Sequence, residues 1–184
     1  MIVRRHLPPD ESLLAIPLFS RHVALLNEVE PLLLAEFGPV AAKSPDYEFS
    51  HTKFYAKDMG TELRKRILVF EPLRPADVLP QVKRWTNQLE DDMAASGRFP
   101  EKRPLNLDPG LVQLGKFLLA STKDRDHRIY LGDGIYAEVT LRFQGDKFEP
   151  WPWTYADYRE PAILEFLRDA RNELHRRLVY NRSQ

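Results

Sequence analysis

The sequence predicts an α+β fold: a ferredoxin-like βαββαβ core with an antiparallel sheet, extended by a β-hairpin and a C-terminal helix. Three observations carry this. Apolar residues recur at helical spacing in three segments, and runs rich in β-branched and aromatic residues lie between them. Gly132-Asp133-Gly134 separates two further runs as a hairpin turn does. At 184 residues, 43% of them hydrophobic, the chain can bury a sizeable core. It reads as one domain, 13–184, behind a loose leader, 1–12.

In chain order, Pro8-Pro9 blocks regular structure in the leader. Leu13–Phe19 reads as a buried strand, and Pro17 should push it toward an edge or a bulge. Val23, Leu26, Val29, Leu33 and Phe37 recur at steps of three and four, giving a helix closed by Gly38-Pro39. Pro31 should kink that helix or divide it. Val40–Phe49 is expected to be extended and irregular. His51–Gly60 is a polar-aromatic connector with Phe54 and Tyr55 as core anchors.

Arg66–Glu71 is the next strand. Pro75 opens a helix whose stripe of Val78, Val82, Trp85, Leu89 and Met93 faces the core, with Lys83, Asn87 and Glu90 on another face. After a polar loop comes a strand at Val112–Ala120, then the hairpin of Arg128–Leu131 and Ile135–Phe143. In its second arm Ile135, Ala137, Val139, Leu141 and Phe143 alternate with Tyr136, Glu138, Thr140 and Arg142, one face for the core and one polar. A turn at Gln144-Gly145-Asp146 leads to Lys147–Trp153. Pro161 opens the last helix, with Ile163, Phe166, Leu167, Ala170, Leu174 and Leu178 inward.

Composition removes several function classes. Lysine plus arginine equals aspartate plus glutamate, 27 against 27, so non-specific nucleic-acid binding is not expected. With no cysteine, thiolate metal sites, disulfides and cysteine nucleophiles are excluded. No apolar run reaches the roughly 20 residues that span a bilayer. Prolines and acids stand where a signal peptide has its apolar core, so a cytoplasmic location is expected.

The chemistry concentrates between Asn106 and Glu138. Asn106-Leu-Asp-Pro-Gly110 is a turn that either only bends the chain or points Asp108 at a ligand. Ser121-Thr-Lys-Asp-Arg-Asp-His-Arg128 offers Thr122, Lys123 and Arg128 to grip a phosphate or carboxylate, with His127 able to move a proton. Its alternative is a solvated turn with local ion pairs. Glu138 is either a cross-strand partner for a base such as Arg128 or a site residue. Thr122-Lys123 is not part of a conventional P-loop GTPase, because Gly-x-x-x-x-Gly-Lys-Ser/Thr is absent. His51, His127, Asp108 and Glu138 lack metal-ligand spacing, so no metal is expected and no cofactor is named. Trp151-Pro-Trp153-Thr-Tyr155-Ala-Asp157-Tyr158 is a lid, an interface or a core cover.

Seven motifs stand in one order: Phe49-x-x-Thr52-x-x-Tyr55-x-x-Asp58-Met-Gly60, Lys83-x-x-Thr86-Asn87-x-Leu89-Glu90, Asn106-x-Asp108-Pro-Gly110, Ser121-Thr-Lys-Asp, His127-Arg-Ile-Tyr-Leu, Gly134-Ile-Tyr-Ala-Glu138-Val-Thr-Leu and Trp153-Thr-Tyr-x-Asp157-Tyr. In this the chain, from about Leu14 to Leu174, resembles the bacterial and archaeal domain of unknown function 4416 family. Asp58, Leu111 and Ala156 depart from the family's usual Glu, aromatic and proline. The resemblance implies that the polar motifs belong to the family pattern, and it brings no established activity.

Two functional expectations follow. In the first, an anionic small molecule, phosphorylated or nucleotide-like, is bound by Lys123, Arg128, Lys83, Asn87, Asn106 and Thr122, with His127, Glu138 and Asp108 moving protons. In the second, the chain is a protein- or RNA-interaction module using the sheet face or the aromatic run 151–158.

Overall fold

Residues 9–50 and 55–183 are described by a computed structural model. Most of the expected leader lies outside them, as do His51, Thr52 and Phe54 of the connector. The strands are β1 (Ser12–Ser20), β2 (Val40–Lys43), β3 (Tyr47–Glu48), β4 (Arg64–Arg74), β5 (Asn106–Leu107), β6 (Gly110–Val112), β7 (Lys116–Ser121), β8 (Ile129–Gly132), β9 (Ile135–Gln144) and β10 (Lys147–Pro150). The helices are α1 (Val23–Phe37), α2 (Ala56–Met59), α3 (Leu79–Ala95) and α4 (Pro161–Arg182).

Among the described residues, all ten strands join one antiparallel sheet with the main order β10-β9-β7-β6-β1-β4-β2. The pairs β3–β4, β5–β1 and β8–β9 lie off that path. The sheet is far wider than four core strands and one hairpin. The polar loop expected between Arg98 and Asp108 contributes β5, and Tyr47–Glu48 adds β3 beside β4.

Helices cover both faces. Leu14, Ile16 and Leu18 of β1 pack with α1 and α3 through Leu26, Val29, Leu33, Leu79 and Val82. Leu13 and Ala15, pleated the other way, pack with α4 through Ile163, Leu167, Ala170 and Leu174. A strand buried on both faces needs a continuous apolar run, which is why Leu13–Phe19 does not alternate.

Three local expectations are corrected. Pro17 does not send β1 to an edge; β1 lies in the middle of the sheet between β6 and β4. Its neighbour on one side breaks between β5 and β6, and the Asp108 amide still donates to the Pro17 carbonyl at 2.9 Å. Proline's missing donor therefore falls opposite the break. Pro31 does not divide α1, which runs unbroken from Val23 to Phe37.

The third correction concerns β9. Leu118 pairs with Val139 and Phe117 with Leu141, so Thr140 is an extra residue, a β-bulge. Ile135 and Ala137 face α1 and α3, whereas Leu141 and Phe143 face α4. The expected polar face is also buried at Glu138 and Thr140.

Candidate functional site

Where β1 and β7 end and β4 and β9 begin, polar side chains replace the core. Lys65 of β4, Asn106 of β5, Ser121 of β7 and Glu138 of β9 line a cleft of about 100 Å³ there. Lys83 enters from α3, Arg103 and Asp108 from the segments flanking β5, and Thr122, Lys123 and Arg128 from the loop before β8. Tyr155, Asp157 and Tyr158, from the segment before α4, complete much of its wall. Among the described residues, five lining side chains are cationic (Lys65, Lys83, Arg103, Lys123, Arg128) against three acidic ones (Asp108, Glu138, Asp157).

Both arginines of the cleft are fixed by buried carboxylates. Arg128 Nε donates to Glu138 Oε2 at 2.9 Å, and Nη1 donates to Ser121 Oγ at 2.7 Å and to the Lys123 carbonyl at 2.9 Å. Glu138 Oε1 accepts from the Thr140 hydroxyl at 3.2 Å, so both its oxygens are engaged. Arg103 Nη2 donates to Glu90 Oε2 at 2.9 Å and to Asn106 Oδ1. Glu90 Oε1 accepts the Leu107 amide at 2.6 Å. Burial pushes the Glu90 carboxyl above its ordinary range, although Lys83 and Arg103 pull it back.

Lys83 Nζ donates to the Leu107 carbonyl at 2.7 Å and lies 3.7 Å from Asp108. Lys65 is buried; its Nζ donates to Asp157 Oδ2 at 2.6 Å and sits over the rings of Tyr158 (4.6 Å), Phe49 (4.7 Å) and Phe19 (5.5 Å). The Lys123 ammonium is held below its usual range by burial and by the charges of Arg103, Arg128 and Arg125. The phenols of Tyr55 and Tyr158 are pushed up by burial and stay protonated O–H groups.

The family model described as domain of unknown function DUF4416 matches residues 10–174. The chain belongs to that family. No curated protein and no solved structure matches it. In this DUF4416 chain the match takes in every cleft residue.

Of the residues expected at a site, Lys83, Asn106, Asp108, Thr122, Lys123, Arg128 and Glu138 come together on the cleft. Asn87, half-buried on α3, does not line it. His127 is set behind the wall. Its Nε2 lies 3.2 Å from Glu138 Oε2, its Nδ1 lies 3.0 Å from Asp126, and its ring stacks on Trp153. No group of three or more histidine or acidic residues suited to a metal occurs among the described residues. No described helix is long and apolar enough to cross a membrane.

Sequence reasoning missed Lys65, Arg103, Asp157 and Tyr158 as site residues. Lys65 falls just before the expected strand start at Arg66, whereas β4 begins at Arg64. Counting back by twos from the core residues Val69 and Ile67 reaches Lys65, which puts a lysine on a buried face. That was the signal available.

Proposed function

We propose that the cleft binds an anionic small molecule, phosphorylated or nucleotide-like. The observation that carries this is the convergence of five cationic side chains, Lys65, Lys83, Arg103, Lys123 and Arg128, on one small cleft with three carboxylates, Asp108, Glu138 and Asp157. A bound anion balances the excess of cations and accepts charge-assisted hydrogen bonds. Lys123, Arg128, Thr122, Lys83 and Asn106 are the binding groups in this reading. Glu138 holds Arg128 in place, and His127 backs Glu138. Any proton transfer falls to Asp108, which is more exposed than the buried lining carboxylates of Glu138 and Asp157. The cysteine-free chain suits the reducing cytoplasm. We read the order β6-β1-β4-β2, with α1 and α3 on one face, as a ferredoxin-like core within the wider sheet.

Thermal unfolding with inorganic phosphate and pyrophosphate tests the binding reading. At ligand near 100 times Kd, stabilisation of about 2.7 kcal/mol is expected, a rise of roughly 5–10 °C at this chain length. Arg128→Met and Lys123→Ala should remove most of it. If neither anion shifts the intact chain's transition at tens of millimolar, the reading fails.

Exposed Trp153, Tyr155 and Tyr130 favour a second reading, an interaction surface for protein or RNA. Binding of single-stranded RNA that survives Lys123→Ala but not Trp153→Ala would select it.

A further inference from the structure

We propose that the anion taken by this cleft carries hydroxyl groups beside its charge, as a short phosphorylated polyol does; the proposal rests on the anion-binding reading. The cleft wall contains two orphaned polar atoms of opposite kind. Asn106 Nδ2, a donor, and Asp157 Oδ1, an acceptor, are buried without a hydrogen-bond partner among the described residues. Both side chains are 1% exposed. An unsatisfied buried polar group costs about 1–3 kcal/mol, so native proteins rarely carry one without a use.

Their orientation is fixed by the sister atoms. Asn106 Oδ1 accepts from Arg103, and flipping the amide would turn its NH₂ against the guanidinium. Asp157 Oδ2 accepts from Lys65 Nζ at 2.6 Å, leaving Oδ1 as the atom to be satisfied.

The pairing of a donor with an acceptor selects the ligand's chemistry. A fully ionised phosphate or sulfate offers only acceptors; it can satisfy Asn106 and the cations but never Asp157 Oδ1. A ligand amine would satisfy Asp157 but would bring a cation among five lining cations. A hydroxyl is donor and acceptor at once and adds no charge. Size points the same way. The cleft's roughly 100 Å³ falls below the ~300–1,000 Å³ that encloses a drug-sized molecule, so it holds a phosphate and a short chain and leaves a nucleobase outside.

Calorimetric titration of the full chain with sulfate, n-propyl phosphate and glycerol 3-phosphate separates the possibilities. The two phosphate esters share charge and chain length and differ in their hydroxyls. Glycerol 3-phosphate is expected to bind at least about tenfold tighter than propyl phosphate, because only it pairs the orphaned atoms. In Asn106→Ala, which removes one of the hydroxyl's two partners and leaves Asp157 Oδ1, that ratio should fall to about threefold while propyl phosphate binding persists. Equal affinity for the two esters in the unaltered chain overturns this inference and leaves the anion reading standing. Failure of all three anions to bind overturns both. Should Asn106→Ala not fold, the two esters on the unaltered chain decide alone.

Discussion

Replacing Lys65 by methionine removes a cation from an almost fully buried ion pair in the cleft wall. Lys65 is 2% exposed and Asp157 1%, and their charged atoms are 2.6 Å apart. Taking one partner from a buried ion pair leaves the other uncompensated, at a cost of about 3–5 kcal/mol. Three aromatic rings around Nζ add contacts that methionine recovers only in part. At about 2–4 °C per kcal/mol for a chain of this size, the melting temperature should fall by roughly 6–20 °C. Asp157→Leu should cost a similar amount. The double variant should lose much less than the sum, because an apolar pair replaces a charged one and Asp157 Oδ1, orphaned in the parent, disappears. Urea unfolding followed by circular dichroism gives all four corners of the cycle. A coupling of at least about 2 kcal/mol is expected. Additive single losses, or a Lys65→Met loss below about 0.5 kcal/mol, refute the view that this pair is an integrated buried unit.

Two more outcomes follow from the same geometry. Lys123 has its ammonium depressed in the free protein, and a bound anion raises it again. Anion affinity should therefore be full below the depressed value and decline as pH climbs through it toward the bound value. Sulfate, which does not titrate in that range, is the probe; a profile equally steep in Lys123→Ala counts against the assignment. At Gly110 an added Cβ would lie 2.1 Å from the Leu118 carbonyl oxygen and 2.9 Å from a Leu119 methyl. Gly110→Ala should thus cost at least about 3 kcal/mol, since backbone of the adjoining β7 cannot yield as a side chain can. A loss under about 1 kcal/mol by chemical unfolding would show that β6 and β7 separate easily.

Much of the frame was legible because burial writes itself into spacing. The long helices follow from stripes such as Val78, Val82, Trp85 and Leu89, and the β8–β9 hairpin from Gly132-Asp133-Gly134, where Asp133 and both glycines adopt positive φ. The width of the sheet was not legible, since strands as short as Asn106–Leu107 and Tyr47–Glu48 carry no period. The cleft was legible on one side only. Residues in polar loops, such as Lys123 and Arg128, announce themselves. Lys65 and Asp157 each stand beside other polar or aromatic residues, and only tertiary structure brings them together across 92 positions. Asn87 shows the reverse error. Helical spacing places it on the same face as Lys83, but about 6 Å further along the axis, and only the long Lys83 side chain extends to Leu107 and the cleft.

Two irregularities in the sheet do for the cleft what no regular strand could. The gap between β5 and β6 spares Pro17 a demand for an amide it lacks, and it leaves Asp108 outside the assigned strands, half-buried and 3.7 Å from Lys83. The bulge at Thr140 resolves a conflict within β9. Glu138 pairs with Leu119, whose side chain belongs to the α4 face, so Glu138 lies on that face too. In a regular strand the same parity would send Arg142 into the core beneath α4 and turn Leu141 away from it. One extra residue reverses the parity: the near end of the strand presents a carboxylate to Arg128, and the far end presents Leu141 and Phe143 to α4. The bulge is thus the device by which a single strand serves a charged cleft and an apolar core on one face of the sheet.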